Sequence, residues 1–251
     1  MNYRTRSRSS GVSFYVPGFP PGVKWLLIAN TAVFILWYFT GLELREFWQN
    51  LALIPALVVK RLMLWQLATY MFRHGGFSHI LWNMLALWMF GADLEQAWGT
   101  KRFLQFYFFC GIGSGICVVI ANYVAHTPDT ATIGASGAIF GILLAYAMMY
   151  PNRTILFGFL IPIQVKWFVL IIGVITLMNA VGGSTSGVSH FAHLGGLLFA
   201  YIYMKLPRRR GGFDLAGALS QRYRQWKIQR AKKKFQVYLK KQGSDRDPWI
   251  H

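Results

Sequence analysis

The sequence predicts an all-α polytopic membrane protein, built as a bundle of six transmembrane helices. Of its 251 residues, 55% are hydrophobic and 17% aromatic but only 14% are charged, and the apolar residues stand in long charge-free blocks. This pattern is typical of membrane-spanning helices. No cleavable signal peptide is expected, because the first 24 residues are basic and polar and the first apolar block is long enough to span.

Six of these blocks are close to the length of about 20 residues that crosses a bilayer as a helix. The predicted spans are Trp25–Leu42, about His74–Ala92, Phe103–Ala125, Ala131–Tyr150, Trp167–Gly183 and Ser186–Met204. Residues 25–204 are therefore predicted to form one compact domain, flanked by basic tails at 1–24 and 205–251.

The positions of Lys and Arg predict the orientation in the membrane. If the amino terminus is cytoplasmic, the cytoplasmic segments hold 22 of the 26 Lys and Arg residues, and the opposite side holds 4. Positive residues accumulate on the cytoplasmic side of membrane proteins, so both termini are predicted to lie there. The carboxy-terminal tail carries 14 of these residues and is expected to contact the anionic inner leaflet, whereas no nucleic acid is expected as a partner.

Two connecting segments are longer than simple turns. Residues 43–73 mix apolar residues with charges and Trp, which predicts a segment in the outer interface that either covers the bundle or is functional. Residues 151–166 contain ILFGFLIPI, which is too short to span and predicts a β-hairpin on the cytoplasmic face.

The stretch TIGASGAIFG, residues 132–141, opens the fourth predicted span and singles out one serine. Ser136 is flanked by Gly134, Ala135 and Gly137. In membrane helices such clusters of small residues commonly serve close packing, and the alternative is that the serine is a nucleophile. The segment by itself favours packing.

Polar residues of three predicted spans lie at one depth, and this favours a nucleophilic Ser136 over a serine that serves packing alone. In the predicted orientation spans two, four and six run inward, and their unusual polar residues lie in the first two turns: His79, Asn83, Ser136 and His193. With a rise of 1.5 Å per residue, these side chains lie about 5 to 15 Å below the outer surface. Polar groups at this depth need partners or water, so they are expected to face the bundle interior.

Small residues would bring two of these helices close enough for a Ser and a His to touch. Gly137 and Gly141 on span four have the spacing that permits backbone contact, and so do Gly196 and Ala200 on span six. A His bonded to a Ser can take its proton and later return it to the leaving group. A side-chain amide and a second imidazole would stabilise the oxyanion. No Asp or Glu is placed to orient the His, so the pair would be a dyad.

Four motifs together resemble the rhomboid intramembrane serine proteases. In chain order they are His79-x-x-x-Asn83, Glu95 followed by Gly99, Gly134-Ala135-Ser136-Gly137, and Ala192-His193-x-x-Gly196. The resemblance covers about residues 25–204 in the number, order and spacing of the spans. It implies a rhomboid-like bundle and a serine endopeptidase that cleaves transmembrane segments of single-span or multi-span membrane proteins through an acyl-enzyme.

The resemblance also implies roles for individual residues. It makes Ser136 the nucleophile and His193 the general base, and it assigns the oxyanion hole to His79, Asn83 and the Ser136 backbone N–H. The segment at 43–73 would be the family's membrane-embedded loop beside the site. Span five would be a candidate for lateral substrate entry.

Some positions depart from the family pattern or carry no catalytic role. Phe140 stands where other members can have a Tyr that packs on the catalytic His, and Ala200 replaces a Gly on span six. Glu95 is expected to hold the turn between spans two and three. No role is carried over to His190.

The alternative function is that of a non-catalytic membrane protein, either a polar-lined transporter or a factor that binds client helices. The predicted spans have no Asp, Glu, Lys or Arg near the polar layer, which argues against a transporter. Six spans without an appended domain predict a multi-pass protein of a prokaryotic plasma membrane, with its active site toward the outer face.

No cofactor or metal is expected. Cys110 and Cys117 both lie in predicted span three, where packing is a simpler role than a disulfide or a metal site. His190 and His193 share a helix face but lack the further ligands that a zinc site needs.

Overall fold

A computed structural model describes residues 17–157, 161–182, 190–205 and 223–232. Its helices are α1 (Pro21–Thr40), α2 (Arg45–Leu51), α3 (Pro55–Lys60), α4 (Gln66–Thr69), α5 (Phe77–Ala86), α6 (Ala92–Trp98), α7 (Thr100–Val124), α8 (Ser136–Met149), α9 (Val165–Val181) and α10 (His190–Lys205). A 3₁₀ turn, Tyr70–Phe72, follows α4, and a π-helical stretch, Leu87–Gly91, joins α5 to α6. Residues 207–251 form a separate unit, of which residues 223–232 are described as a helix.

Each predicted span has a helical counterpart, and three of them differ little in their ends. Spans one, three and five correspond to α1, α7 and α9, with ends shifted by at most four residues. For span six, the predicted start at Ser186 lies outside the described residues, and the described helix begins at His190.

The predicted ends of span two are wrong. The helix begins at Phe77 rather than near His74, and it continues past Ala92 through α6 to Trp98. The prediction ended the span at the first acidic residue, but Asp93 and Glu95 are both buried in the helix. The structure accommodates them because each carboxylate has hydrogen-bond partners from another element.

The predicted start of span four is also wrong, because α8 begins at Ser136 and not at Ala131. Two features before it are incompatible with a helix. Thr132 pairs with Leu53 through two backbone hydrogen bonds of 2.8 and 3.0 Å, and Gly134 has a φ of +113°. The serine therefore stands at the very start of the helix.

Among the described helices, α1 and α7 are both long enough and apolar enough to cross a bilayer, while α8 and α9 are apolar but shorter. The six-span count therefore stays a prediction. Helices α7, α8 and α10 pack against one another and form the centre of the bundle. In the segment between α1 and α5, α3 and α4 pack against α7, and α2 packs against α4. Trp48 of α2 is only 2% exposed.

The β-hairpin predicted within residues 151–166 is confirmed. Strand β1 (Thr154–Phe157) pairs antiparallel with β2 (Ile161–Gln164), and Thr154 lies opposite Gln164. Just before the hairpin, Arg153 forms an ion pair of 2.6 Å with Asp93. Tyr146 of α8 donates to the same carboxylate at 3.0 Å, so Asp93 ties α6 to the end of α8 and to the base of the hairpin.

Glu95 joins the turn between α6 and α7 to the first turn of α1. Its carboxylate accepts the backbone N–H groups of Gly22 and Val23, both at 2.7 Å, and the Thr100 hydroxyl at 2.6 Å. The first N–H groups of a helix have no acceptor within the helix, and a carboxylate there also meets the positive end of the helix dipole. The sequence predicts the contact within the turn but not the contact with α1.

Replacing Glu95 with Ala should destabilise the bundle by about 2–4 kcal/mol, because two buried N–H groups and a hydroxyl lose their acceptor. Thermal unfolding of the purified protein in detergent would measure the loss. The matched control is Glu43→Ala, which removes an exposed carboxylate and should leave the midpoint nearly unchanged. Equal midpoints for the two variants would contradict this role for Glu95.

Candidate active site

Ser136 is the first residue of α8, and the loop before it is held in place by the segment after α4. The Gly134 N–H donates to the Tyr70 carbonyl at 2.9 Å. Gly134 has a φ of +113°, in the region that favours glycine. Because the N–H groups of a first helical turn have no acceptor in a preceding turn, the Ser136 N–H is available to a ligand. It also lies at the positive end of the α8 dipole.

His193 lies in the first turn of α10 and contacts Ser136 directly. Its Nε2 is 2.8 Å from the Ser136 Oγ, which is hydrogen-bond distance. The ring of Phe140 stacks on the imidazole, with centroids 4.1 Å apart and planes 5° from parallel. Since Phe140 is one turn after Ser136, the same helix presents the hydroxyl and the surface that orients its partner.

Glycines let α8 and α10 meet through their backbones. A Cβ on Gly196 would overlap the carbonyl oxygen of Gly137, and a Cβ on Gly141 would lie 2.8 Å from Cys110 and 3.4 Å from the Gly196 carbonyl oxygen. Ala200, one turn further along α10, is fully buried. Side chains larger than these would hold the helices apart, and the Ser–His contact would be lost.

His79 lies against the loop that precedes the serine. A Cβ built on Gly134 would lie 2.7 Å from the His79 Nε2, so only a glycine leaves room for the ring. The Gly75 N–H approaches the His79 Nδ1 at 3.4 Å, a long contact that favours an unprotonated Nδ1. In that tautomer a neutral ring carries its proton on Nε2, which faces the site.

Asn83 is one turn after His79 and is buried, with 7% of its surface exposed. Its side-chain Nδ2 donates to the His79 carbonyl at 2.7 Å. An amide has two N–H groups, so one of them stays available. Within the described ranges, Asn83 makes no hydrogen bond to Ser136 or His193, so the structure does not join it to the pair directly.

His190 and Glu95, which the sequence also singled out, lie at different distances from the Ser136–His193 pair. The ring centroids of His190 and His193 are 6.2 Å apart. Glu95 lies in α6 close to the turn into α7 and contacts α1, so its role is in the bundle and not beside Ser136. In the part of the chain that the structure describes, no three His, Cys, Asp or Glu residues are grouped closely enough to hold a metal ion.

Two residues that support the site are not evident from the sequence. The Ser114 hydroxyl of α7 donates to the Ala192 carbonyl, next to His193, and would block a Cβ on Gly137. His74 is 1% exposed, and its ring centroid is 5.1 Å from that of His79. Ser114 lies within the glycine-rich part of α7 and His74 shortly precedes His79, but neither position reveals its contact without the fold.

A Ser–His pair of this geometry can activate the hydroxyl for attack on a carbonyl. Together with membrane-length helices, it is the arrangement of a membrane-embedded serine hydrolase. The sequence model of the family described as Rhomboid domain matches residues 61–210, more than half of the chain. The chain belongs to the rhomboid family, and it is an intramembrane serine protease.

Individual relatives agree with this assignment. YdcA of Bacillus subtilis is 31% identical over 179 residues, which cover 70% of this chain and 86% of YdcA. RHOMBOID-like protein 12, mitochondrial, of Arabidopsis thaliana is 30% identical over 194 residues, which cover 72% of this chain but 56% of that protein. Rhomboid protease GluP of Bacillus subtilis is 35% identical over 163 residues, 63% of this chain and 28% of GluP. The assignment favours the enzyme over a transporter or a client-binding factor.

Gly196→Ala should separate α8 from α10, lower the stability by about 1–3 kcal/mol, as expected for overpacking, and sharply reduce peptide-bond cleavage. The matched control is Gly173→Ala on α9, where a Cβ would lie 3.7 Å from the Leu197 side chain, an ordinary contact, and both properties should change little. The unfolding midpoint and the cleavage rate would be measured for both variants. A fully active and stable Gly196→Ala protein would show that the backbone contact is not needed.

Proposed function

We propose that this protease cleaves transmembrane segments of other membrane proteins with Ser136 as the nucleophile and His193 as the general base. The observation that carries the proposal is the distance of 2.8 Å between the Ser136 Oγ and the His193 Nε2. Family membership supports the same roles, because the pair lies within the matched residues 61–210.

The reaction has two stages. His193 removes the proton as the Ser136 Oγ attacks the carbonyl carbon of the substrate, and the same imidazole then protonates the leaving amine. This leaves an acyl-enzyme. In the second stage His193 activates a water molecule, which hydrolyses the ester and restores the serine hydroxyl. The stacked ring of Phe140 holds the imidazole in position through both stages.

The oxyanion would be bound by the Ser136 backbone N–H, the His79 Nε2–H and the remaining N–H of the Asn83 amide. The position of Ser136 at the start of α8 supports the first of these donors, and the fit of the His79 ring against Gly134 supports the second. For Asn83 the support is its burial on the same face as His79, one turn away. Donors that are already aimed at the oxyanion stabilise the developing negative charge strongly.

Substrates would be single-span or multi-span membrane proteins, cleaved where a helix unwinds readily. A helical amide in lipid is shielded by its own hydrogen bonds, so small or helix-breaking residues near the cut would favour cleavage. Lateral entry beside α9 is supported by the exposure of most of that helix outside the bundle. Only Val165, Val169 and Thr176 of its 17 residues are buried.

The topology that accompanies this function has six spans: α1, the rod from α5 through α6, and α7 to α10. The excess of Lys and Arg in the predicted cytoplasmic segments supports cytoplasmic termini and a site toward the outer face. Residues 25–204 would be the protease domain and residues 1–24 and 205–251 its basic tails. A prokaryotic plasma membrane is supported by the Bacillus relatives, although the named relatives also include a mitochondrial plant protein.

The carboxy-terminal tail is proposed to bind the anionic inner leaflet. In the helix at 223–232, Tyr223, Trp226 and Ile228 are exposed together with basic side chains. The Arg230 guanidinium lies 5.1 Å from the centre of the Trp226 ring. Mixed basic and aromatic surfaces of this kind favour the interface of an anionic membrane.

Ser136→Ala and His193→Ala should each reduce cleavage of a reconstituted membrane substrate by at least about 10³-fold. The serine and the histidine act as one unit, so losing either removes most of the activity. A serine-directed fluorophosphonate should label the wild type at Ser136 and label neither variant. Thr130→Ala, which removes an exposed loop hydroxyl, is the control and should cleave normally. Cleavage retained by Ser136→Ala would end the dyad proposal.

His79→Ala and Asn83→Ala should each lower kcat by about 10²–10³-fold while changing KM less, since the lost donors act mainly on the transition state. Purified variants would be compared at saturating substrate. The outcome against the proposal is a change confined to KM, which would place these residues in substrate binding and not in the oxyanion hole.

A further inference from the structure

A second polar feature lies away from the Ser–His pair, at the carboxy-terminal end of α1. A cleft of about 560 Å³ separates the end of α1 from α2 and from the segment before α5. We call it the outer cleft. The residues that define it here are Trp37, Tyr38, Arg45, Trp48, Gln49 and Arg73.

Two arginines line the outer cleft without a carboxylate partner. Among the described residues, the ion pair within 4.0 Å is that of Arg153 with Asp93, so neither Arg45 nor Arg73 is paired. The acidic residues of this segment, Glu43 and Glu46, do not neutralise them by direct contact. The cleft therefore has two arginines on its walls that form no ion pair among the described residues.

Of the two arginines, Arg73 is the stronger indication that the cleft binds an anion. Its Nε is buried and has no hydrogen-bond partner among the described residues. Burial lowers the pKa of its guanidinium, and no opposing effect of a nearby acid accompanies that shift. An unpaired buried donor on a cation is costly, so the site favours an anion that supplies the missing acceptor.

The walls of the cleft indicate where that anion comes from. Its aromatic side chains are of the type that concentrates at the headgroup level of membranes, and the Trp48 Nε1 donates to the Thr40 Oγ1 at 3.0 Å. At the rim of the cleft, Tyr38 is 71% exposed and Leu42 is 96% exposed. Such an apolar rim at the end of a membrane-length helix faces lipid, so a lipid can reach the cleft laterally.

We propose that the outer cleft binds the phosphate group of a membrane phospholipid through Arg45 and Arg73. A phosphate offers several acceptor oxygens, and guanidinium groups match this geometry with paired hydrogen bonds. The glycerol and the upper acyl chain lie against the aromatic wall. The assignment to the outer leaflet rests on the proposed orientation, but binding itself requires no catalytic role for Ser136.

The bound phosphate would also support the active site. The Tyr70 carbonyl accepts the N–H of Arg73 at 3.3 Å and the N–H of Gly134 at 2.9 Å. One peptide group therefore joins the wall of the cleft to the loop before the nucleophile. Holding Arg73 in place would limit movement of that loop.

The test measures binding of dioleoylphosphatidylcholine to the full chain in detergent, by native mass spectrometry during a lipid titration. This lipid has no net charge, so the basic tail attracts it little. Arg45→Gln and Arg73→Gln should each weaken binding about tenfold or more, because each removes a charge-assisted contact. Arg61→Gln, which removes an exposed arginine outside the cleft, should bind as the wild type does.

Two further binding measurements identify which part of the lipid is recognised. Dioleoylglycerol, which lacks the phosphate, should bind at least tenfold more weakly than the phospholipid, and inorganic phosphate should not displace the phospholipid at equal concentration. Equal binding of dioleoylglycerol, displacement by inorganic phosphate, or wild-type lipid affinity in both cleft variants would each overturn the proposal. An equal loss in Arg61→Gln would do the same.

Folding and catalysis are separated from binding in the same experiment. The unfolding midpoint of each variant in lipid-free detergent shows whether it is folded, and Arg73→Lys, which keeps the charge, should bind with intermediate affinity. If the cleft variants instead raise only the KM for a substrate with an acidic residue, with lipid affinity unchanged, the cleft binds substrate carboxylates and the proposal fails. Ser136→Ala should bind the phospholipid normally, so failure of the protease mechanism is distinguishable from failure of the lipid site.

Discussion

Ser136 and His193 belong to different helices, and only the close approach of those helices lets their side chains touch. Helices usually pack with their axes about 8–10 Å apart, a distance set by the side chains between them. At Gly137 and Gly196 no side chain intervenes, and the backbones of α8 and α10 are in contact. In lipid, where apolar surface gains little from burial between helices, close packing of this kind supplies much of the attraction. The contact that positions the pair therefore also stabilises the bundle.

The loop before Ser136 is fixed by backbone hydrogen bonds from the segment between α1 and α5. The Tyr70 carbonyl holds Gly134, and Thr132 is paired with Leu53. These contacts stop α8 from extending towards its amino terminus, so Ser136 keeps a free N–H group and the positive end of a helix dipole. A segment that looks like a covering loop thus determines where the helix that carries Ser136 begins. This dependence gives a physical reason for a link between the outer cleft and the active site.

Much of the architecture was predictable because the lipid environment imposes simple rules on a sequence. Apolar length predicted where helices occur, and the β-rich stretch after α8 predicted the hairpin that the structure contains. The ends of helices were less predictable. Asp93 and Glu95 look like the boundary of a span, yet both lie within a helix because Arg153 and the first turn of α1 satisfy their carboxylates. Such partners are 60 or more residues away in sequence, so no local pattern reveals them.

The sequence by itself predicted which polar groups share a depth, because depth follows from counting residues along spans of predicted direction. It also determined the family, through four motifs whose spacing is jointly specific. Only the tertiary structure decided that Ser136 starts its helix and that the His79 ring fits against Gly134. It also decided that the Arg73 Nε has no hydrogen-bond partner among the described residues. The reason is that depth is one coordinate, whereas contact also depends on the rotation of each helix about its axis and on the distance between axes. Those two quantities are fixed by packing among all the helices together.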